Sequence, residues 1–190
     1  MSRSKGKERL PPSQYKVDKF PVLHVGSVPD FDQASWAFGV YSLVEKPLKL
    51  SWRDFLSLPS RKSVSDFHCV EGWSRLDNEW EGVSFRTILE IVKPKLEAGF
   101  CTIECDGGYT TSLPIEDLMD EEVLFAYRLD GKELSQEHGG PLRIVVPKKY
   151  AYKSAKWVRR IKFTKEQELG YWKKRGYSNT ADPWKEERYG

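Results

Sequence analysis

Three groups of residues in this chain have types and spacing suited to chemistry. The first is Asp66-Phe67-His68-Cys69-Val70-Glu71-Gly72-Trp73-Ser74, where a β-favouring run (63–67) ends in a cysteine and a glycine follows three residues later. That pattern places a thiol at a strand end where the chain turns away. A thiolate there can bind a soft metal or act as a nucleophile, and a small buried hydrophobe is the plain alternative. The second is His138-Gly139-Gly140-Pro141-Leu142-Arg143, followed by Lys153-Ser154-Ala155-Lys156-Trp157. Paired glycines let backbone N–H groups approach an anion, Arg143 offers a planar fork for phosphate, and the lysines add point charges. A hairpin loop with solvated cations reads equally well from this piece alone. Acyl transfer by Ser154 and Lys156 finds no Gly-x-Ser-x-Gly elbow to support it. The third group, Tyr171 to Tyr177, is aromatic and basic.

The elements that position these groups follow from periodicity. Alternating apolar residues predict a strand over 36–44, and apolar runs set off by turns predict strands over 100–104, 109–113, 123–129, 142–146 and 158–163. Ser51 with Asp54 three residues on predicts a capped short helix stopped by Pro59. Ser84 predicts the cap of a second helix whose stripe is Phe85, Ile88, Leu89 and Val92, closed by Pro94. Residues 76–80 read as a polar loop, 114–119 as a helical turn, 20–31 as an irregular crossing segment and 165–177 as a partly helical closing segment. Strands outnumber helices, so the expected class is α+β: mostly β, mixed sheets with short helices. Residues 1–15 read as a flexible basic tail and 16–190 as one domain.

Composition bounds the function. At 190 residues with 31% charge and 39% hydrophobic content, the chain suits one well-packed soluble domain. The net charge of +3 is spread through mixed signs and not gathered in a basic stripe, which disfavours a nucleic-acid partner. No apolar run is long enough for membrane insertion, and the polar start resembles no secretory signal, so the cytoplasm is the expected location. Cys69, Cys101 and Cys105 make no disulfide framework and offer no four-ligand zinc set.

Taken together and in this order, the cysteine stretch and the glycine-to-lysine stretch resemble the molybdopterin-binding domain of the sulfite oxidase family, in particular its short stand-alone oxidoreductases. The resemblance runs from about His24 to the end of the chain. It implies the sulfite oxidase-like fold and a molybdopterin (pyranopterin) cofactor with molybdenum, used for two-electron oxo transfer to or from a small molecule. It makes Cys69 the single protein ligand to the metal and a catalytic residue. His24, His138, Arg143, Ser154, Ala155 and Lys156 become cofactor contacts, with Arg143 and Lys156 at the phosphate. A further contact falls near Cys105 and Asp106. Tyr177 matches an active-site tyrosine, a proton donor or oxyanion partner; alternatively it is a packed aromatic. A non-catalytic molybdopterin-binding or carrier protein is the second functional reading. Sulfite oxidases place an arginine where this chain has Ser74, with Arg75 next to it, so a neutral oxo donor is expected in place of sulfite. The expected redox partner is a separate electron-transfer molecule.

Overall fold

The computed structural model describes residues 9–190; residues 1–8, most of the expected tail, lie outside the described residues. The strands and helices are, in order, β1 (Tyr15–Lys16), β2 (Ala37–Ser42), β3 (Leu48–Ser51), α1 (Trp52–Leu56), β4 (Ser60–His68), β5 (Trp73–Ser84), α2 (Phe85–Val92), β6 (Phe100–Cys105), β7 (Thr110–Pro114), α3 (Ile115–Leu118), β8 (Leu124–Leu129), β9 (Lys132–Glu133), β10 (Arg143–Val145) and β11 (Val158–Thr164). One sheet runs β1-β5-β8-β10, with β4 on β5 and β9 on β8; the other runs β3-β2-β11-β6-β7. The first contains a parallel pair, β1 with β5, and the second another, β2 with β11; the remaining pairings are antiparallel. The class is therefore the expected α+β with mixed sheets. Among the described residues no helix is long and apolar enough to cross a membrane.

Local sequence explains the helices. Ser51 caps α1 in a complete capping box with Asp54, and the Ser84 hydroxyl accepts from Thr87 N–H at the start of α2. The main core holds Phe38, Phe55, Phe85, Ile88, Phe125, Ile144, Ile161 and Phe163, all fully buried. A second cluster gathers Phe67, Cys69, Trp73, Trp80, Leu124 and Val145, with Phe20 packed against it. This smaller cluster underlies the site.

Two expectations need correction. Residues 76–80 are not a loop: they lie inside β5, paired to β4 through Ser63–Trp80, Val64–Glu79 and Ser65–Asn78. Their polar side chains find cross-strand partners instead of needing a turn, with Lys62 on Glu79 (2.8 Å) and buried Asn78 donating to Ser65 O (3.0 Å) and Arg75 O (2.8 Å). The tail does not extend to residue 15, because Arg9 already bonds Asp66 (2.5 Å) and Asp77 (2.9 Å) and Tyr15 enters the sheet. The closing segment is partly helical as expected, through a 3₁₀ turn, Lys173–Arg175, ended by Gly176 in the left-handed region.

Candidate active site

The β4–β5 connection is built by four residues. Gly72 N–H donates to Cys69 O (3.0 Å) and Cys69 N–H to Trp73 O (2.8 Å), closing a tight turn in which Gly72 has φ +100°. That angle is ordinary only for glycine, which is why this residue follows the cysteine at this distance. The turn leaves the Cys69 thiol buried at the end of β4, on the wall of a cleft of about 310 Å³. Burial pushes this thiol up to about 11, while the backbone N–H groups of Glu71 and Val70 and the nearby Arg188 charge pull the other way.

The opposite wall comes from the glycine-to-lysine stretch. Arg143, Ser154, Ala155, Lys156 and Trp157 all line the cleft. Arg143 is 2% exposed and donates to His138 O and Ser154 O, both at 2.8 Å. Its guanidinium carbon stands 5.1 Å from the Phe67 ring and 5.4 Å from that of Trp80, and its Nε has no acceptor. No carboxylate pairs with Arg143 or Lys156 among the described residues. Burial accordingly lowers the Arg143 pKa to about 9 and that of Lys156 to about 7. Among the described residues Lys156 Nζ donates to the carbonyls of Leu23 (2.7 Å) and Glu137 (2.6 Å). Gly139, at φ +109°, lies under both: a Cβ there would stand 3.0 Å from the Cβ of Arg143 and 3.1 Å from that of Lys156. The Gly140–Pro141 peptide is cis.

The remaining expected residues divide. His24 lines the cleft, with Nδ1 2.9 Å from Gly26 O and its ring against Trp157. Tyr177 lines it too, packed on Trp172 (4.7 Å) and Tyr152 (5.5 Å); burial and the Tyr189, Glu71 and Cys69 groups raise its pKa. His138 does not line the cleft. It stacks on Phe20 (4.9 Å) and its nitrogens meet Ser135 Oγ (2.9 Å) and Phe20 O (3.1 Å), so it holds the crossing segment from behind. Cys105 and Asp106 also lie outside the lining, whereas Tyr109, four residues beyond Cys105, is inside it and donates to Tyr152 O (2.5 Å). Sequence reasoning missed Tyr109, Glu71, Trp172 and Phe20. Glu71 stood in the quoted motif and Tyr109 just after a Gly-Gly turn; Phe20 carried no signal.

Ser74 and Arg75 are both turned to other tasks. Ser74 is fully buried against His68 Nδ1 (2.8 Å) and Gln14 (3.1 Å). Arg75 bonds Asn78 and Asp130, each at 2.5 Å, and neither residue lines the cleft.

The donor set fits a large anionic cofactor with a soft metal. Two desolvated cations without carboxylates need an anion, the orphaned Nε offers another donor, and the buried thiol supplies the soft ligand. Fold and site thus define an α+β domain whose cleft suits a large anionic cofactor carrying a soft metal.

Comparison with known proteins is specific. The family model described as oxidoreductase molybdopterin binding domain matches residues 25–172, and the chain belongs to that family. It is 46% identical over 182 residues to the oxidoreductase YuiH of Bacillus subtilis (strain 168), covering 95% of this chain and 92% of YuiH. It is 32% identical over 176 residues to the protein-methionine-sulfoxide reductase catalytic subunit MsrP of Campylobacter jejuni, covering 84% of this chain but 58% of MsrP. The NADPH nitrate reductase of Beauveria bassiana is 26% identical over 207 residues, covering 89% of this chain and 23% of that protein. The crystal structure of the sulfane dehydrogenase SoxCD from Paracoccus pantotrophus shares the fold, with a TM-score of 0.70 at 24% identity over 76% of this chain and 42% of that one. The chain is a sulfite oxidase-like molybdopterin-binding oxidoreductase domain, and molybdopterin with molybdenum is its cofactor.

Proposed function

We propose that this chain carries out two-electron oxo transfer with Cys69 as the single protein ligand to molybdenum and a neutral oxygen donor, a sulfoxide or N-oxide, as substrate. When bound, the cofactor supplies the metal and dithiolene sulfurs at which an oxygen atom and an electron pair change hands. The observation that carries this reading is the shared cleft, with a buried thiol on one wall and the unpaired Arg143 on the other. Arg143 and Lys156 hold the phosphate, and the N–H groups of Val70 and Glu71 stabilise the thiolate once its proton is displaced. Tyr177, its pKa raised, keeps its proton at neutral pH and is placed to donate a hydrogen bond to a reacting oxygen. The Trp172, Tyr152 and Tyr177 rings keep that end of the cleft apolar. Electrons come from a separate carrier. The relative whose name specifies protein methionine sulfoxide supports the sulfoxide class.

The test is protein made in a host that synthesises the molybdenum cofactor. The expected content is about one molybdenum and one pterin per chain. Cys69→Ser should change the Mo(V) paramagnetic signal and abolish turnover, and sulfoxides should outperform sulfite. A Cys69→Ser protein with the wild-type signal and rate overturns the ligand assignment. Sulfite as the best substrate by a wide margin overturns the substrate class.

A further inference from the structure

The loop that brings Trp172 and Tyr177 to the cleft is closed at its base by a buried lysine. β7 is the last strand of its sheet, so carbonyls on its outer side need partners from elsewhere in the chain. Thr110 O accepts from Tyr171 N–H (2.8 Å), and Ser112 O accepts from Lys153 Nζ (2.9 Å) and Gln167 Nε2 (3.4 Å). Lys153 Nζ also donates to Asn179 Oδ1 (3.4 Å). Gln167 and Asn179 meet each other: Asn179 Nδ2 donates to Gln167 Oε1 (2.5 Å) and Gln167 Nε2 to Asn179 Oδ1 (3.3 Å). Residues 168–178 thus form a loop whose two ends touch, and Trp172 and Tyr177 lie inside it.

An ammonium has only protons to give, so Asn179 turns its oxygen to Lys153. Its nitrogen then faces Gln167 Oε1, and the Gln167 nitrogen is left for Ser112 O. The lysine therefore orients the whole set. Lys153 is 3% exposed, and among the described residues no carboxylate pairs with it. Burial lowers its pKa to about 8. An apolar side chain would fill that space without the cost of a desolvated charge, but it could not gather Ser112, Asn179 and Gln167 at one point. We propose that Lys153 is a positioning residue for the aromatic end of the cleft, clasping both ends of the 168–178 loop and so setting where Trp172 and Tyr177 stand. Tyr152 Oη donates to Ser178 O (2.6 Å) and Tyr171 stays on β7, so without the clasp the loop remains folded but loses its fixed base. The bearing on turnover rests on the reading of Tyr177 above; the clasp does not.

Lys153→Met and Asn179→Leu open the clasp from its two sides, the second without altering the stretch that leads into Ser154, Ala155 and Lys156. In the full-length protein, hydrogen–deuterium exchange is read on a peptide covering 171–178, where the amides of Tyr171, Tyr177 and Ser178 are hydrogen-bonded. It should run about tenfold faster in either variant, as expected for losing one charge-assisted contact, while a peptide covering β4 and β5 keeps its wild-type rate. The double variant should exchange within about twofold of the single ones, because both open the same clasp. In loaded protein each variant should keep its molybdenum and lower kcat roughly tenfold, but by less than about twofold in a Tyr177→Phe background, where the displaced hydroxyl is already gone. Wild-type exchange over 171–178 in both variants overturns the inference. So does equal acceleration in the β4–β5 peptide, which would make Lys153 a stabiliser of the whole fold. A fall in kcat of the same size with and without the Tyr177 hydroxyl overturns it as well. Accelerated loop exchange beside a Tyr177→Phe enzyme of wild-type kcat upholds the clasp and overturns the catalytic role given to Tyr177.

Discussion

Arg143→Met separates what one guanidinium does for the fold from what it does for the cofactor. In the protein alone Arg143 is buried, donates to two neutral carbonyls and meets no carboxylate among the described residues. Burial lowers its pKa from 12.5 to about 9, so at neutral pH it remains a cation. At 1.36 kcal/mol per pH unit, holding that charge costs at most about 5 kcal/mol, and the Phe67, Trp80 and Phe20 rings recover part of it. Methionine keeps much of the apolar volume and removes the charge, but it strands two buried carbonyls at about 1–3 kcal/mol each. These effects oppose each other, so the cofactor-free variant should melt within several degrees of wild type, at about 2–4 °C per kcal/mol for a chain of this size. Loading changes the balance. Wild type gains a charge-assisted contact to the phosphate of roughly 1.5–3 kcal/mol, which methionine cannot make. Cofactor affinity should therefore fall about 10- to 150-fold, and the rise in melting temperature on loading should shrink by about 3–12 °C. Thermal melts of cofactor-free and loaded protein, with pterin fluorescence for occupancy, measure both. Full occupancy with an undiminished rise on loading would refute the reasoning and place the phosphate elsewhere.

Gly139→Ala should destabilise the protein by roughly 1–3 kcal/mol and empty the site, because the new Cβ meets the stems of Arg143 and Lys156 at a φ of +109°; full cofactor retention would show that the cradle can shift. Lys156 has a folded-state pKa lowered to about 7 from 10.5, so between those values the unfolded chain binds more protons. Cofactor-free wild type should gain stability as pH rises through that window, and Lys156→Met should lose this dependence; parallel urea midpoints for the two proteins from pH 7 to 10 would contradict it. Tyr177→Phe should lower kcat about 100-fold or more with little change in KM, if general-acid assistance follows its usual magnitude; a wild-type kcat removes the hydroxyl from the chemistry.

Local signals were the legible part of this chain. The caps of α1 and α2 stood in Ser51, Asp54 and Ser84, and both formed as read. Alternation announced β2, which buries one parity against a core, while β6 and β8 read as strands from apolar runs that bury consecutive residues. Residues 76–80 misled for a physical reason: their polarity is satisfied across the hairpin by β4, a pairing that the polar residues themselves do not announce. The cleft was legible where two motifs met, at Cys69, Arg143, Ser154, Ala155 and Lys156. It was illegible where tertiary packing alone supplies the wall, as with Phe20, and His138 was displaced because its nitrogens are taken by Ser135 and Phe20.

Charge in the cleft is divided in a way that bears on substrate. Arg143 and Lys156 are desolvated cations on the cofactor wall, where a phosphate would consume them. Beside Cys69 the lining residues are Val70, Glu71, Trp172, Tyr152 and Tyr177, and Glu71 is the ionisable carboxylate among them. The cations that could have balanced it are engaged. Arg75 is spent on Asn78 and Asp130; Arg188 donates to Val70 O, stands 3.9 Å from Glu186 and lies over the Tyr150 ring. A dianion approaching the sulfur would meet the Glu71 carboxylate and aromatic rings, with Arg188 the guanidinium whose charge is felt at Cys69; on the reading proposed above, a missing charged contact would cost about 1.5–3 kcal/mol of transition-state binding. A neutral oxygen donor loses nothing by that arrangement and gains the rings. Ser74 spends its hydroxyl on Gln14, whose amide donates to the Cys69 carbonyl, so on the proposed reading it brings no charge to the substrate's approach.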